Sequence, residues 1–582
     1  MYQNWKERWP RAGMVGWYNP FQLSKTAIQV ATSALLGTRA DYRVIEALTT
    51  EQGIFNCGER SEIWIDYVAD LGDGWNPTYA IATLLARSNL EVPSHEQARK
   101  CYLTKRGDIL IMGGDEVYPT ASREEYQARL VRPYECALER TKKPHPLLFA
   151  LPGNHDWYDG LASFTRLFCQ ERWFAGWCTK QKRSYFALKL PARWWLWGVD
   201  IQLESDIDLP QLEYFRQIAK EEMNEGDGVI FCTAKPDWIY GNIYEKKLEN
   251  TLAYLEKKII EQAGAKVMVT LAGDLHHYRR HESIGEPKIQ KITAGGGGAF
   301  LHPTHGPKVR RIVVGPKGKE AEFSLEAEFP AQRVSRRLTW RNLLFPILNP
   351  RFGILTGFVY MMIAWVLQSG LKTNFQNTPV AVENIWTIVL QTAVVVLRTP
   401  SASAWVLGLI LGFVFFTDTH SKLYRWIAGS IHGLSHLLTN LLLGWCITRI
   451  TISTLSLDPS GFAQPIISGV GLFVGGYLAG SLLMGIYLLI SLNVFRRHSN
   501  EAFSSLRIQD YKNFLRLHID TEGKLTIYPI GIKKIPKDWV PAMNPDEDDP
   551  KLVPKRNKII EAFLIEEPIE VFRSKSLVGR SV

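Results

Sequence analysis

Charge is almost absent from one long stretch of this chain, residues 353–495, whereas the first 330 residues mix charged and apolar side chains in ordinary proportion. A buried soluble core rarely omits charge for so long, so the asymmetry implies a soluble region joined to a membrane region. Paired cysteines are lacking too. The seven cysteines are odd in number, widely scattered and never spaced C-x-x-C. That excludes a disulfide framework and favours a reducing compartment for the soluble part. The first 20 residues hold charges and tryptophans but no apolar core, which excludes a signal peptide there. No zinc-finger spacing or nucleic-acid motif occurs. The net charge of +10 comes with Lys and Arg clustered on both flanks of the apolar region, where anionic lipid headgroups explain them better than nucleic acid does.

What is present divides the chain into five parts. Residues 1–45 form a leader with an amphipathic stretch at 21–36, expected to pack on the domain that follows it or lie on a membrane surface. Residues 46–306 form an α/β domain, 307–350 a basic linker, 351–497 a domain of four to six membrane spans, and 498–582 a small cytoplasmic appendage. The apolar segments are 353–371, 380–397 (carrying Glu383), 401–417, 427–448 and 465–495. A spanning helix needs about 20 apolar residues. Basic flanks on both sides place both ends in the cytoplasm, which requires an even number of spans. Five segments conflict with that unless 380–397 lies at the interface or 465–495 crosses twice. His432 and His436, four apart, share one helical face as a hydrogen-bonded pair, two ligands or a proton relay.

In the α/β region apolar runs end in acidic, glycine-bearing loops. Residues 63–69 lead to Asp70-Leu71-Gly72-Asp73, and 108–112 to Gly113-Gly114-Asp115. Residues 147–151 lead to Gly153-Asn154-His155-Asp156, and 267–271 to Ala272-Gly273-Asp274-Leu275-His276-His277. Continuous apolar strands imply a sheet covered on both faces, and polar residues at their C-terminal ends are where open α/β sheets gather ligands. Two metal ions about 3.5–4 Å apart need a bridging carboxylate with oxygen and imidazole ligands around them. A run of four glycines, 295–298, precedes His302 and His305.

Taken in order, these motifs resemble the calcineurin-like metallophosphoesterases, including the purple acid phosphatases, over residues 60–305. The resemblance implies a four-layer α/β/β/α sandwich followed by an all-α transmembrane helical domain. It also implies two divalent or mixed-valence metal ions (Mn, Fe, Mg or Zn). Asp70 and His276 match ligands of the first metal, Asp115 the bridging carboxylate and Asn154 a ligand of the second. His155 matches the family's histidine that protonates the leaving group or holds a phosphate oxygen, with Asp156 expected to raise its pKa. Tyr118 lies three residues after Asp115, and Gly72 replaces a histidine, both as in the purple subgroup. Two departures fall on the second metal: Asp274 stands where the family has the first histidine of GHxH, and Ala234 where it has a lone histidine. His302, His305, Asp200 and His277 are candidate replacement ligands, Asp73 a further candidate for the first site, and Arg183 a candidate phosphate clamp.

The implied function is a membrane-anchored dimetal phosphoester hydrolase, acting from the cytoplasmic side on a phosphoester near or within the bilayer, with no nucleic-acid partner. A regulatory module that binds metal without catalysis is the alternative, and a transporter regulated by its hydrolase domain a third reading. Retention of Asn154, His155 and Asp156 favours activity.

Overall fold

The computed structural model describes residues 11–36, 53–95, 100–140, 145–201, 207–244, 251–306, 308–315, 320–374, 384–417, 421–459, 461–543, 545–546, 549–556 and 559–573. They fall into two units: Met1–Val15, Lys25–Ser335 and Arg507–Val582 form one, Gly16–Ser24 and Arg336–Leu506 the other.

Among the described residues, two nine-stranded sheets build the first unit. One contains β1 (Ile63–Val68), β2 (Ile109–Met112) and β3 (Leu147–Ala150), running parallel with Ile65 opposite Ile109 and Ile109 opposite Leu147. The other contains the parallel strands β4 (Trp194–Val199), β5 (Gly228–Thr233) and β6 (Lys266–Ala272), extended by β7 (Tyr278–Ser283), β8 (Gln290–Ala294) and β9 (Ala321–Phe329). Two late strands, β10 (Lys512–Ile519) and β11 (Leu525–Ile532), pair antiparallel with each other, and β10 pairs with β1. Three helices matter here: α1 (Pro20–Leu36), α2 (Trp75–Ala86) and α3 (Leu209–Glu221).

The apolar runs explain the layering. β1, β2 and β5 are buried at every position, as strands covered on both faces must be. Because successive side chains alternate, Ile65, Tyr67 and Ile111 meet Leu196, Ile230 and Val269 in a core between the sheets. Val68, Leu110 and Met112 turn the other way, onto Tyr79 and Leu84 of α2. On the far side of the second sheet, Trp197, Val229 and Phe231 pack against Phe215 and Ile218 of α3. In α1, Gln29 accepts from the Thr120 hydroxyl at 2.9 Å, while Phe21 and Ile28 are 85% and 67% exposed.

Two segment assignments need correction. Part of the expected linker 307–350 is β9, paired with β7 across Arg280 and Ala327. The expected appendage, 498–582, supplies strands to the first sheet. The physical reason lies in Asp66, a charge inside the apolar run of β1. Its partner is Arg516 of β10, 450 positions later, donating Nε to Oδ1 at 2.7 Å and Nη2 to Oδ2 at 3.2 Å. Both side chains are buried, so each charge requires the other.

The second unit is helical: α4 (Pro350–Asn374), α5 (Ile385–Arg398), α6 (Pro400–Phe416), α7 (Lys422–Arg449) and α8 (Ala463–Asn493). Among the described residues, three helical segments are long and apolar enough to cross a membrane: Pro350–Leu371, Lys422–Thr454 and Ala463–Asn493. The pair α5 and α6, bent by 104°, raises the count to four if it is one span. Pro400 accounts for the break, since it lacks the N–H a continuous helix would use. Segment 465–495 does not double back: α8 is one helix of 31 residues, about 46 Å long. Glu383 lies outside the described residues.

Candidate functional site

Three aspartates follow the C-terminal ends of parallel strands, and all three have left-handed backbones: Asp70 (φ 58°) after β1, Asp115 (φ 53°) after β2 and Asp274 (φ 64°) after β6. Such conformations are uncommon outside glycine and cluster where the surrounding structure holds side chains for a task. Here the turns interlock. Asp70 N–H donates to Gly114 O and Leu71 N–H to Asp115 O, each at 2.9 Å. Gly72 has φ 45°, and a Cβ there would run into the Glu116 carbonyl, so no histidine can stand at this position.

The loops bring Asp70, Asp115 and His276 around one point, the Tyr118 hydroxyl. It lies 3.0 Å from Asp70 Oδ1, 3.1 Å from Asp115 Oδ2 and 3.0 Å from His276 Nε2. Asp274 N–H donates to Asp70 Oδ1 at 3.1 Å, and the Asp274 carboxylate accepts from the Tyr240 hydroxyl. His276 places Nδ1 2.7 Å from Phe300 O, so Nδ1 carries the proton and Nε2 presents its lone pair. His302 stacks on His276, with ring centroids 3.8 Å apart.

Electrostatically the cluster is short of positive charge. Burial pushes the Asp70 carboxyl well above the carboxylate range, and Asp115 and Asp274 push it further. Burial, then Asp274, lifts Asp115 to about 7. Burial drives His276 well below the usual imidazole value, with His302 adding to the effect. A phenol has one proton and cannot donate to two carboxylates and an imidazole at once. Asp70 Oδ2 is buried without a hydrogen-bond partner among the described residues. Carboxylate, imidazole and phenol donors with an orphaned carboxylate oxygen fit a cation. Among the described residues no three His, Cys, Asp or Glu side chains already stand at ligating distance from one point; the Tyr118 hydroxyl holds the centre.

The Asn154-His155-Asp156 turn closes another side of this region. His155 N–H donates to Asp115 Oδ1 at 2.9 Å, and His155 Nδ1 lies 2.6 Å from Pro119 O, leaving Nε2 as the lone-pair nitrogen. The His155 ring packs on Tyr118, and burial lowers its pKa to about 4. Asn154 Nδ2 donates to the Tyr158 hydroxyl at 3.0 Å. Asp156 does not raise the basicity of His155 as expected. Its carboxylate accepts from Gly153 N at 2.8 Å, from Glu116 N at 3.2 Å and from the Tyr126 hydroxyl. Asp156 therefore braces the two loops, and burial followed by Asp115 lifts its pKa to about 8.

The other candidates divide. His302 adjoins the cluster through His276. His305 Nδ1 is tied to the Ser335 hydroxyl at 2.8 Å instead. Asp73 accepts from Val15 N at 2.8 Å and Phe300 N at 3.0 Å, which anchors the leader and the glycine loop. Asp200 accepts from Trp157 Nε1 at 3.1 Å and Ser184 Oγ at 2.6 Å. His277 is buried, its basicity lowered by burial and by Arg279. Arg183 donates to the Tyr185 hydroxyl at 3.0 Å. Ala234 follows β5 with its methyl against Gly114 and its carbonyl accepting from Gly273 N, so an apolar side chain occupies a wall of the site.

Sequence reasoning missed the contribution of β10. Asn513 N–H donates to Gly296 O at 3.0 Å, and Ile508 O accepts from Leu301 N at 3.1 Å. The glycine loop that carries Phe300, and through it His276, thus rests on chain that follows the last membrane-type helix. Lys512 is buried with no hydrogen-bond partner for Nζ among the described residues. Burial lowers its pKa to about 8, while Asp73, Asp510 and Asp70 attract its charge. Nothing in the local sequence of 499–582 signals this, because the relevant property is a contact.

No protein-family model matches this chain. No curated protein matches it either.

Proposed function

We propose that this chain is a metal-dependent phosphoesterase of the metallophosphoesterase type, held in a bilayer by its helical unit with the α/β unit on the cytoplasmic side. The observation that carries the reading is the convergence of Asp70, Asp115 and His276 on one point, beside an orphaned carboxylate oxygen. The two facing sheets flanked by helices support the four-layer sandwich of that family. Asp70, His276 and Tyr118 would hold one cation, with Asp115 bridging to a second held by Asn154 and Asp274. Cations there supply the Lewis acidity that activates water and phosphorus.

The chain's own residues do the rest. Asp115 orients the His155 backbone, and the Pro119 carbonyl sets the His155 tautomer. His155 Nε2 is the nitrogen positioned to exchange a proton with the substrate's leaving oxygen. Asp156 keeps the two loops in register. A second reading, a metal-binding regulatory module, is favoured by Ala234, which leaves the second cation without the family's imidazole.

The test uses the full chain in detergent, measuring bound metal and hydrolysis of p-nitrophenyl phosphate and its bis-ester. About two metals per chain, turnover abolished by Asp115→Asn, and a loss of about 10²–10⁴-fold for His155→Ala are expected. At most one metal and no turnover with Mn²⁺, Fe or Zn²⁺ supplied would favour the regulatory module.

A further inference from the structure

Contacts fix the direction of each long helix within the helical unit. Phe345, just before α4, lies against Gly485 of α8, and Tyr360 lies against Gly476, so α4 and α8 run antiparallel. Tyr424 and Ser491 share a hydrogen bond at 2.8 Å while Leu443 meets Gly475, so α7 and α8 are antiparallel too. Gly429 of α7 meets Val414 of α6, and Gly370 of α4 meets Val395 and Thr399, where α6 begins. Helices α4, α6, α7 and α8 therefore traverse the unit in alternating directions, and the chain enters α4 and leaves α8 at the same end. That end carries Arg341, Arg351, Lys422, Arg425, Arg496 and Arg497. Among the described side chains, the other end carries only Arg398 and Arg449 as its lysines and arginines.

Helix α5 stands outside this series. Its 14 residues reach about 21 Å, short of a hydrocarbon layer of about 30 Å. It meets α6 at 104°, so it lies across the direction of the traversing helices. Helix α6 has 17 residues and no charge, the lower limit of the roughly 17–25 residues that span by themselves.

At helical spacing α5 has three different faces. Ile388, Thr392 and Val395 are buried, Val395 against Gly370 of α4. Trp386, Leu390, Ala393 and Leu397 form an exposed apolar stripe, its three large side chains 73%, 70% and 85% exposed. Thr387, Gln391 and Arg398 lie on the third face. Water would leave the apolar stripe unburied. A hydrocarbon interior would leave the third face without partners. Only the boundary between acyl chains and headgroups suits both faces, and α5 lies at the end of the bundle, where that boundary falls.

We propose that α5 is an interfacial helix that binds the lipid leaflet opposite the basic end, with Trp386, Leu390 and Leu397 among the acyl chains and Gln391 and Arg398 among the headgroups. The unit then crosses four times, through α4, α6, α7 and α8. Basic flanks on both sides and an even number of spans are thereby reconciled. The proposal rests on the reading that the helical unit is held in a bilayer, and is independent of the phosphoesterase chemistry.

The test places the full-length chain in nanodiscs of phosphatidylcholine and phosphatidylglycerol, where both headgroup surfaces face water. A membrane-impermeant maleimide is added, and each modified cysteine is identified by mass spectrometry, with the exposed native Cys101 as internal standard. Gln391→Cys should react within about fivefold of Cys101, and Leu390→Cys at least about tenfold more slowly than Gln391→Cys. Leu407→Cys, midway along α6, should be as unreactive as Leu390→Cys. Equal, ready reaction at 390 and 391 would put α5 in water, and no reaction at either would make it half of a broken span; each overturns the proposal. Ready reaction of Leu407→Cys would overturn the bilayer reading itself, and the proposal with it. In sealed vesicles of one orientation, external reagent should reach Gln391→Cys or Arg341→Cys; reaching both would refute opposite leaflets. With the unaltered chain, phosphatidylcholine bearing an acyl-chain diazirine should label the Trp386–Leu397 stripe. Label on α6 and α8 but none on that stripe would mean that a protein surface covers it, against the proposal. This arm decides the matter even if a substituted chain fails to fold.

Discussion

His276 Nε2 stands 3.0 Å from the Tyr118 hydroxyl, while its Nδ1 is held by the Phe300 carbonyl at 2.7 Å. The imidazole is thus oriented by a loop on one side and presents a lone pair to a phenol on the other. Tyr118 touches both candidate carboxylates as well, so its hydroxyl is either a cation's ligand or the group that fills a cation's place.

Tyr118→Phe separates these roles. If the phenol binds ferric iron, the iron-loaded protein absorbs visible light by phenolate-to-metal charge transfer and the Phe variant does not. The expected outcome is loss of that band with the fold retained, checked by absorption and circular dichroism. A Phe variant that keeps the band would remove Tyr118 from the ligand set.

Acidity should govern the stability of the metal-free protein. The Asp115 carboxyl is pushed up to about 7 by burial and by Asp274, against about 3.9 in an unfolded chain. The folded protein therefore holds a proton that the unfolded chain has released. Stability from this group is present at low pH and lost as pH rises through about 7. In chelator, the Tm of the native chain minus that of Asp115→Asn is expected to fall between about pH 4 and pH 7. His155, lowered to about 4, acts in the opposite sense in both proteins and cancels in the difference. A flat difference would mean that Asp115 titrates as an ordinary carboxylate.

Arg516 should be intolerant of replacement. Arg516→Met leaves Asp66 charged and unpaired between two packed strands, at a cost of about 3–5 kcal/mol. The double variant Asp66→Leu with Arg516→Met is expected to recover most of that loss. Thermal unfolding of the four chains closes the cycle, and purely additive losses would show that the pair is not coupled.

Residues 1–340 alone should not form the site. Without β10 the edge of β1 is unpaired, Asp66 lacks Arg516, and the Gly296 carbonyl lacks its Asn513 donor. The fragment is expected to aggregate or bind no metal. The same fragment linked to residues 507–582 is expected to be monodisperse and to load metal. Equal metal content in both, by elemental analysis after gel filtration, would show that β10 is dispensable.

Much of the site was legible because its signals are local. Each of Asp70, Asp115 and Asp274 follows an apolar strand with glycine one or two positions away, and a strand's C-terminal end is read directly from the chain. The misreadings were relational. Asp156 adjoins His155 in sequence, yet the turn sends its carboxylate to Gly153, Glu116 and Tyr126. His305 follows the glycine run as His302 does, yet the chain carries it to Ser335.

By itself the sequence determined where apolar strands and helices form, which residues end them, and that one region is too poor in charge for an ordinary soluble core. Those properties depend on neighbours a few positions away. Only the tertiary structure decided that residues 507–582 complete the first sheet, that Tyr118 centres the acidic cluster, and that His436 meets the Tyr360 hydroxyl of α4. Each depends on chain segments brought together across long separations. Burial then turned Asp66 and Arg516, unremarkable in sequence, into partners that neither can do without.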